Sequence, residues 1–349
     1  MSQISVCIIA KNEAANLDKC LSAISSFPFE IIIVDTGSTD TTREVALKYT
    51  NNVFDFAWCN DFSAARNFSI KQAHNDWVLV LDCDETATEL DYDGLLSFCE
   101  TYPESIGRIE RHSHDYGGLT TIDFVERFFD RRIYHYEDII HEQVKRIDGT
   151  PDSTHAIPLT VNHSGYSTED IAKQKADRNL SLLFESLKNN PDNPYVLFQI
   201  GQSYFMVKDY DNALTYFDRA LNYDLPMDAE YVQLLIISYG YTLIHTNHAR
   251  EAIEILKPLE TTFSNLADFS FLQGCCYMNC KEYLTAIQYF VKALTIPHCN
   301  AQGVNSYLAL YNLGFLYASL GEKKMAIDFL NRCAPQYAPA RDLLKEVSN

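Results

Sequence analysis

Four glycines in the second half of the chain, Gly201, Gly240, Gly274 and Gly314, are each followed twelve residues later by an alanine: Ala213, Ala252, Ala286 and Ala326. The glycines stand 39, 34 and 40 residues apart, and each Gly/Ala pair lies within two apolar helical patterns. Residues 194–225 carry Gly201, Tyr204, Ala213, Phe217 and Ala220, and residues 267–298 repeat them as Gly274, Tyr277, Ala286, Phe290 and Ala293. A recurrence of this period predicts stacked helix pairs, because one pair cannot bury its apolar faces alone. Small residues at the crossings let antiparallel helices approach closely. The stack leaves a groove for a peptide or protein, or a surface for dimerisation or scaffolding.

The first half has a different rhythm. Strand-like runs at 5–10, 30–35 and 77–82 alternate with helical runs at 17–25, 41–49 and 67–73, in the order β-α-β-α-α-β. Ile31-Ile32-Ile33-Val34 and Val78-Leu79-Val80-Leu81 are continuous apolar strands, the pattern of a parallel sheet covered by helices on both faces. Each strand ends in polar residues. Ligands of open α/β sheets bind beyond the carboxyl ends of the strands, so residues 11–13, 35–40 and 82–85 are expected to converge on one crevice.

Charge narrows the ligand class. Lys and Arg total 28 against 47 Asp and Glu, a net charge of −19, so a general nucleic-acid surface is excluded and a small anion needs a local device to hold it. The ten cysteines are too dilute for a disulfide scaffold and none forms a CxxC pair, which fits a reducing compartment. Cys275, Cys276, Cys280 and Cys299 beside His298 could ligate zinc, but helical spacing favours small core residues. No signal peptide or membrane-spanning run is read, and the expected location is cytoplasmic.

Asp82-Cys83-Asp84 ends a buried strand, where side chains alternate with a period of two and place both carboxylates on one side. A magnesium or manganese ion would relieve their repulsion and complete its shell with water and phosphate oxygens. Asp35-Thr36-Gly37-Ser38-Thr39-Asp40 reads as a turn in which Asp40 or Thr39 caps the next helix. Asp35, at the strand tip, is placed to accept a hydrogen bond from a uracil imide or a ribose.

Taken together, residues 4–13 with Asn12-Glu13, the 34–40 turn, Asp61-Phe62-Ser63-x-Ala65-Arg66-Asn67, Asp82-x-Asp84, Ile140-His141-Glu142, Asn162-His163-Ser164-Gly165-Tyr166 and Arg178-Asn179 resemble a family-2 glycosyltransferase of the GT-A fold. The helical half resembles tetratricopeptide repeats. The whole is similar to repeat-bearing glycosyltransferases that include bacteriocin peptide S-glycosyltransferases of the sublancin type. The resemblance implies an α/β, Rossmann-like, mostly parallel GT-A domain over 1–166, a linking helix over 167–192 and an all-α repeat solenoid over 193–349.

It also implies roles. Ala10, Lys11, Asn12 and Glu13 would line a UDP-sugar, Asp35 would contact its uracil, and Arg66 would reach the base or diphosphate. Asp82 and Cys83 would lie against the nucleotide, Asp82 touching the ribose or a metal-bound water. Asp84, with Asp82 and His163, would hold Mn²⁺ or Mg²⁺. The reaction implied is an inverting transfer to the Cys or Ser/Thr side chain of a peptide or protein held partly by the repeats.

An acceptor hydroxyl or thiol needs a carboxylate to take its proton. The candidate is Glu142, with His141 orienting it or touching the sugar; Asp138, Glu137, Glu85, Asp115, Asp123 and Glu126 remain open. Arg127, Arg131 and Arg132 could grip phosphate, or pair with Asp130, Glu126 and Asp138. Transfer to a polysaccharide or lipid carrier, a silent nucleotide-binding scaffold, and a homodimer through the repeats remain alternatives.

Overall fold

The computed structural model describes residues 3–115, 120–166 and 168–348; the side chains of Asp115 and Tyr166 lie outside the described residues. The chain divides into two compact units, Met1–Ala172 and Lys173–Asn349.

The first unit begins β1 (Ile4–Ala10), α1 (Ala14–Ile24), β2 (Glu30–Asp35), α2 (Thr42–Ala46), β3 (Val53–Asp55), α3 (Phe62–Lys71) and β4 (Trp77–Asp82). It continues with β5 (Glu85–Leu90), α4 (Tyr92–Thr101), β6 (Ile106–Asp115), β7 (Thr120–Asp130), β8 (Tyr134–Glu137), β9 (Gln143–Arg146) and β10 (Thr154–Tyr166). Eight strands form one sheet in the order β3-β2-β1-β4-β7-β6-β10-β5, and β8 pairs with β9 in a small second sheet. From β3 to β4 the pairing is parallel; β7 then runs antiparallel to both β4 and β6.

The apolar strands are buried on both faces because alternate residues enter different cores. Val6, Ile8, Leu79 and Leu81 pack with Leu17 and Leu21 of α1 on one side. Cys7, Ile32, Val78 and Val80 pack with Ile70 of α3, Phe129 and Tyr134 on the other. Each such side chain contributes about 1.5–3 kcal/mol by leaving water. That two-sided burial fixes the register that aligns the strand tips. Ala10 pairs with Asp35, and Ile9 with Asp82, so β1, β2 and β4 end side by side.

The second unit is helical. After α5 (Glu169–Asn189) come α6 (Pro194–Met206), α7 (Tyr210–Leu221), α8 (Glu230–His245), α9 (Ala249–Leu256), α10 (Ala267–Asn279), α11 (Tyr283–Thr295), α12 (Tyr307–Ser319), α13 (Lys323–Cys333) and α14 (Ala338–Ser348). Seven residues beyond each repeat glycine the backbone is left-handed, at Lys208, Asn247, Lys281 and Gly321, and there each helix pair turns. The twelve-residue alanines are fully buried. A Cβ on Gly201 would stand 2.4 Å from the Phe217 ring, which is the close approach the glycine permits. Gly240 differs, since it faces Leu272 of α10 rather than its own partner helix. Cys276 lies in the apolar core, and burial pushes the Cys275 thiol up to about 12. Among the described residues no helix is long and apolar enough to cross a membrane.

Candidate active site

Two loops close over the tips of β1 and β2. Asn12 is left-handed (φ 54°), and its Oδ1 accepts from the Thr39 backbone N–H at 2.7 Å, while its own N–H donates to Ser38 Oγ at 3.0 Å. The Glu13 N–H donates to Thr42 Oγ1 at 2.8 Å. Thr36 N–H donates to the Ala10 carbonyl at 2.9 Å. Asp35, 6% exposed, accepts from the N–H groups of Gly37 (3.0 Å) and Ser38 (2.8 Å) through Oδ1. Gly37 has φ +99°, a conformation that a Cβ would strain, so the turn needs this glycine. The N-cap of α2 is Thr41, not the expected Asp40 or Thr39, and its side chain makes no capping bond; Asp40, one residue earlier, accepts from the Thr42 N–H at 3.0 Å. Of residues 10–13, Ala10 is buried and Lys11 and Asn12 are exposed.

The tip of β4 is a charge cluster. Asp82 accepts from Arg66 Nη2 through Oδ1 and from Arg127 Nη2 through Oδ2, both at 2.7 Å. Arg127 Nη2 also reaches Glu85, which is wholly buried, at 3.3 Å, and Arg111 Nη1 lies 3.6 Å from the same carboxylate. Glu85 additionally accepts the Asp82 N–H at 2.9 Å. Arg66 Nε donates to Glu142. The Arg66 and Arg127 guanidiniums outweigh burial and hold the Asp82 carboxyl far below the usual carboxylate range. Two orphan donors remain in this cluster, Arg66 Nη1 and Arg127 Nε, both buried without a hydrogen-bond partner.

These contacts change the electrostatic expectation. Repulsion at Asp82 is relieved by two guanidiniums of the chain itself, so both of its oxygens are engaged without a metal ion. Arg66, expected to reach the base or diphosphate, spans Asp82 and Glu142 in the structure. Arg127 pairs with Asp82 and Glu85, not with its sequence neighbours, whereas Arg132 does pair with Asp130 at 2.5 Å and Arg131 donates to the Asn75 carbonyl. Cys83 packs inward, its Sγ 3.2 Å from the Ile9 carbonyl, and burial raises its thiol well above the ordinary value.

Asp84 meets a histidine. β10 brings His163 opposite Glu85, and His163 Nε2 lies 3.6 Å from Asp84 Oδ2 while Nδ1 lies 3.1 Å from Ser113 Oγ. Both side chains are 12% exposed. One carboxylate and one imidazole with the rest of the shell open suit a Mn²⁺ or Mg²⁺ ion that takes phosphate oxygens and water. Among the described residues no group of three or more His, Cys, Asp or Glu side chains is gathered as a preformed cage.

Glu142 sits in the loop between β8 and β9, its side chain 10% exposed. Asp138 and His141 in that loop are left-handed, at φ 73° and 52°. Burial, then the neighbouring Glu137, raises the Asp138 carboxyl above its ordinary value. Glu85 is paired with Arg127 and Arg111, and Asp123 with Arg111 at 2.5 Å, just as Glu142 is paired with Arg66.

The family model for glycosyl transferase family 2 matches residues 5–157, and tetratricopeptide repeat models match 194–225, 267–297 and 307–334. The α8–α9 pair, which turns at left-handed Asn247 as the other pairs do at the equivalent residue, lies between the matched segments. A TPR repeat-containing protein of Synechococcus elongatus is 28% identical over 244 residues, covering 67% of this chain and 60% of that protein. The SPbeta prophage-derived glycosyltransferase SunS of Bacillus subtilis is 25% identical over 303 residues, covering 82% of this chain and 70% of SunS. An uncharacterized glycosyltransferase of Rickettsia prowazekii is 33% identical over 89 residues, or 26% of this chain and 30% of its own length.

Proposed function

We propose that this chain moves a sugar from a UDP-sugar to the Cys or Ser/Thr side chain of a peptide or protein, with inversion and with help from a divalent cation; the match of residues 5–157 to the glycosyl transferase family 2 model and of the helical half to tetratricopeptide repeat models supports it. The observation that carries this reading is the alignment of Ala10, Asp35 and Asp82 at adjacent strand ends, with Asp84 and His163 beside them. In an acidic chain, these aligned strand ends are where a nucleotide diphosphate would be held.

In this reading the uracil imide N–H donates to Asp35, whose Oδ2 is not used by the turn that Oδ1 holds. The 10–13 and 36–39 backbone lines the nucleoside. A cation held by Asp84 and His163 would supply positive charge to the leaving diphosphate. Glu142 takes the proton from the acceptor thiol or hydroxyl as the acceptor sulfur or oxygen bonds to the anomeric carbon. The bond from that carbon to the phosphate oxygen breaks, and UDP leaves with the electron pair. A thiol acceptor, with a free pKa of about 8.5, demands less of this base than a hydroxyl does. The repeats hold part of the acceptor, and α6–α13 supply the surface for it.

The test is product formation. The full chain is incubated with Mn²⁺, a panel of UDP-sugars and peptides carrying Cys or Ser, and both UDP release and peptide mass are followed. A hexose or N-acetylhexosamine increment on one peptide is expected. UDP binding with neither release nor increment would identify a silent scaffold.

A further inference from the structure

We propose that the Phe62–Asn67 stretch of α3 is a clamp that positions the β8–β9 loop, with Ser63 and Asn67 as positioning residues that set where Glu142 stands; this rests on the reading of Glu142 as the base. Asn67 binds the backbone of Tyr136 from both sides, donating through Nδ2 to its carbonyl at 2.8 Å and accepting its N–H through Oδ1 at 2.9 Å. An amide side chain thereby replaces a neighbouring strand for the last residues of β8. Ser63 Oγ donates to the Asp138 carbonyl at 2.5 Å, and the Phe62 N–H donates to the Ile139 carbonyl at 2.9 Å. Arg66 then takes the Glu142 carboxylate itself.

Two turns of one helix therefore contact residues 136, 138, 139 and 142. The loop they contact holds two non-glycine residues with positive φ, Asp138 and His141, a backbone that L residues keep only when the surroundings hold it. Asp61 fixes the start of the clamp, accepting the Ala64 N–H at 2.8 Å and so setting the phase of α3. Arg66 extends the clamp to the donor side, because the guanidinium that holds Glu142 also holds Asp82. The helix thus sets the separation between the proposed base and the tip of β4. A purely structural role would stabilise the loop without affecting the chemical step, and the experiment separates the two.

Asn67→Ala and Ser63→Ala are made in the full chain, Ser63→Ala being the milder change should Asn67→Ala fold poorly. Three quantities are read: backbone hydrogen exchange of residues 137–142, UDP affinity in the presence of Mn²⁺, and kcat and KM for hydrolysis of UDP-glucose and UDP-N-acetylglucosamine. Faster exchange confined to the loop is expected, with UDP affinity held within about twofold and kcat down about 10- to 100-fold, the usual consequence of a small misplacement of a reacting group. Asn67→Asp, which keeps the acceptor for the Tyr136 N–H but loses the donor, should recover part of kcat. Unchanged loop exchange overturns the clamp, and so does a loss of UDP affinity that matches the loss of kcat, since that would make the stretch a donor contact. Glu142→Gln is run in parallel. If it keeps full turnover the base assignment fails, while the exchange result still decides the clamp.

Discussion

Replacing Arg127 with Leu removes the guanidinium that joins Asp82 at 2.7 Å to Glu85 at 3.3 Å. Breaking a buried ion pair by deleting one partner costs about 3–5 kcal/mol when the survivor is left alone. Neither survivor is alone here: Asp82 keeps Arg66 at 2.7 Å, and Glu85 keeps Arg111 at 3.6 Å and the Asp82 N–H. The expected cost is therefore smaller, ~2–3 kcal/mol at pH 7. Both tryptophans of the chain, Trp58 and Trp77, lie in the first unit, and Trp77 packs 5.0 Å from Phe128, the neighbour of Arg127. Urea unfolding followed by tryptophan fluorescence thus reports the first unit without interference from the repeats. The effect also has a pH signature. The folded Asp82 carboxyl is depressed, so the stability it contributes is present above its unfolded value of about 4 and is lost as pH falls through the folded value, far below that. The unfolded carboxyl titrates alike in both proteins, so the gap between wild type and Arg127→Leu should hold from pH 7 down to about 4 and close only in stronger acid. Arg127→Lys keeps the charge but not the fork, and should fall between the two. A loss under about 1 kcal/mol, or a gap that already closes between about pH 7 and 4, would refute the claim that arginines of the chain neutralise Asp82.

Three further outcomes follow from the same contacts. Gly201→Ala should destabilise the repeats by about 1–3 kcal/mol, because its Cβ would press on the buried Phe217 ring; far-UV circular dichroism should show the loss while tryptophan fluorescence stays unchanged. Asp35→Asn keeps Oδ1 for the Gly37 and Ser38 N–H groups, so it should leave urea stability near wild type yet weaken UDP binding by about tenfold or more. Asp35→Ala should lose both, with about 1–3 kcal/mol of stability gone, and equal UDP affinity in the two variants and wild type would remove Asp35 from the nucleotide site.

The parts of the fold governed by local pattern were legible in the sequence. Continuous apolar runs gave β1, β2 and β4, and the Gly/Ala recurrence gave the helix pairs, since burial on two faces or at a crossing restricts residue type at every position. β3 escaped notice because three residues paired on one side carry no period. β6, with His112, Ser113, His114 and Asp115 at its end, does not resemble a buried strand.

The site was legible by position and only partly by contact. Asp35 and Asp82 stand at the strand tips as the pattern requires, but the sequence does not say which way a long arginine turns. Arg66 and Glu142 are 76 residues apart, and Arg127 meets Asp82 only through the antiparallel register of β4 with β7. Proximity in sequence pointed Arg127 to Glu126 and Asp130, which the pleat places elsewhere. The one usable signal for Arg127 was its place beside Phe128 and Phe129, where a cation must have a buried partner. Asn67 and Ser63 carried no signal of their backbone partners, because those partners are peptide groups.

The proposed nucleotide site at the tips of β1, β2 and β4 is most directly tested by calorimetric titration of the full chain with UDP, in Mn²⁺ and again in EDTA, for wild type and Asp84→Asn. Wild type should bind at least about tenfold more tightly with Mn²⁺, a difference of ~1.4 kcal/mol, and Asp84→Asn should bind equally weakly in both conditions. Equal wild-type affinity with and without Mn²⁺, or a full manganese effect retained by Asp84→Asn, would contradict a nucleotide diphosphate held through a cation on Asp84 and His163.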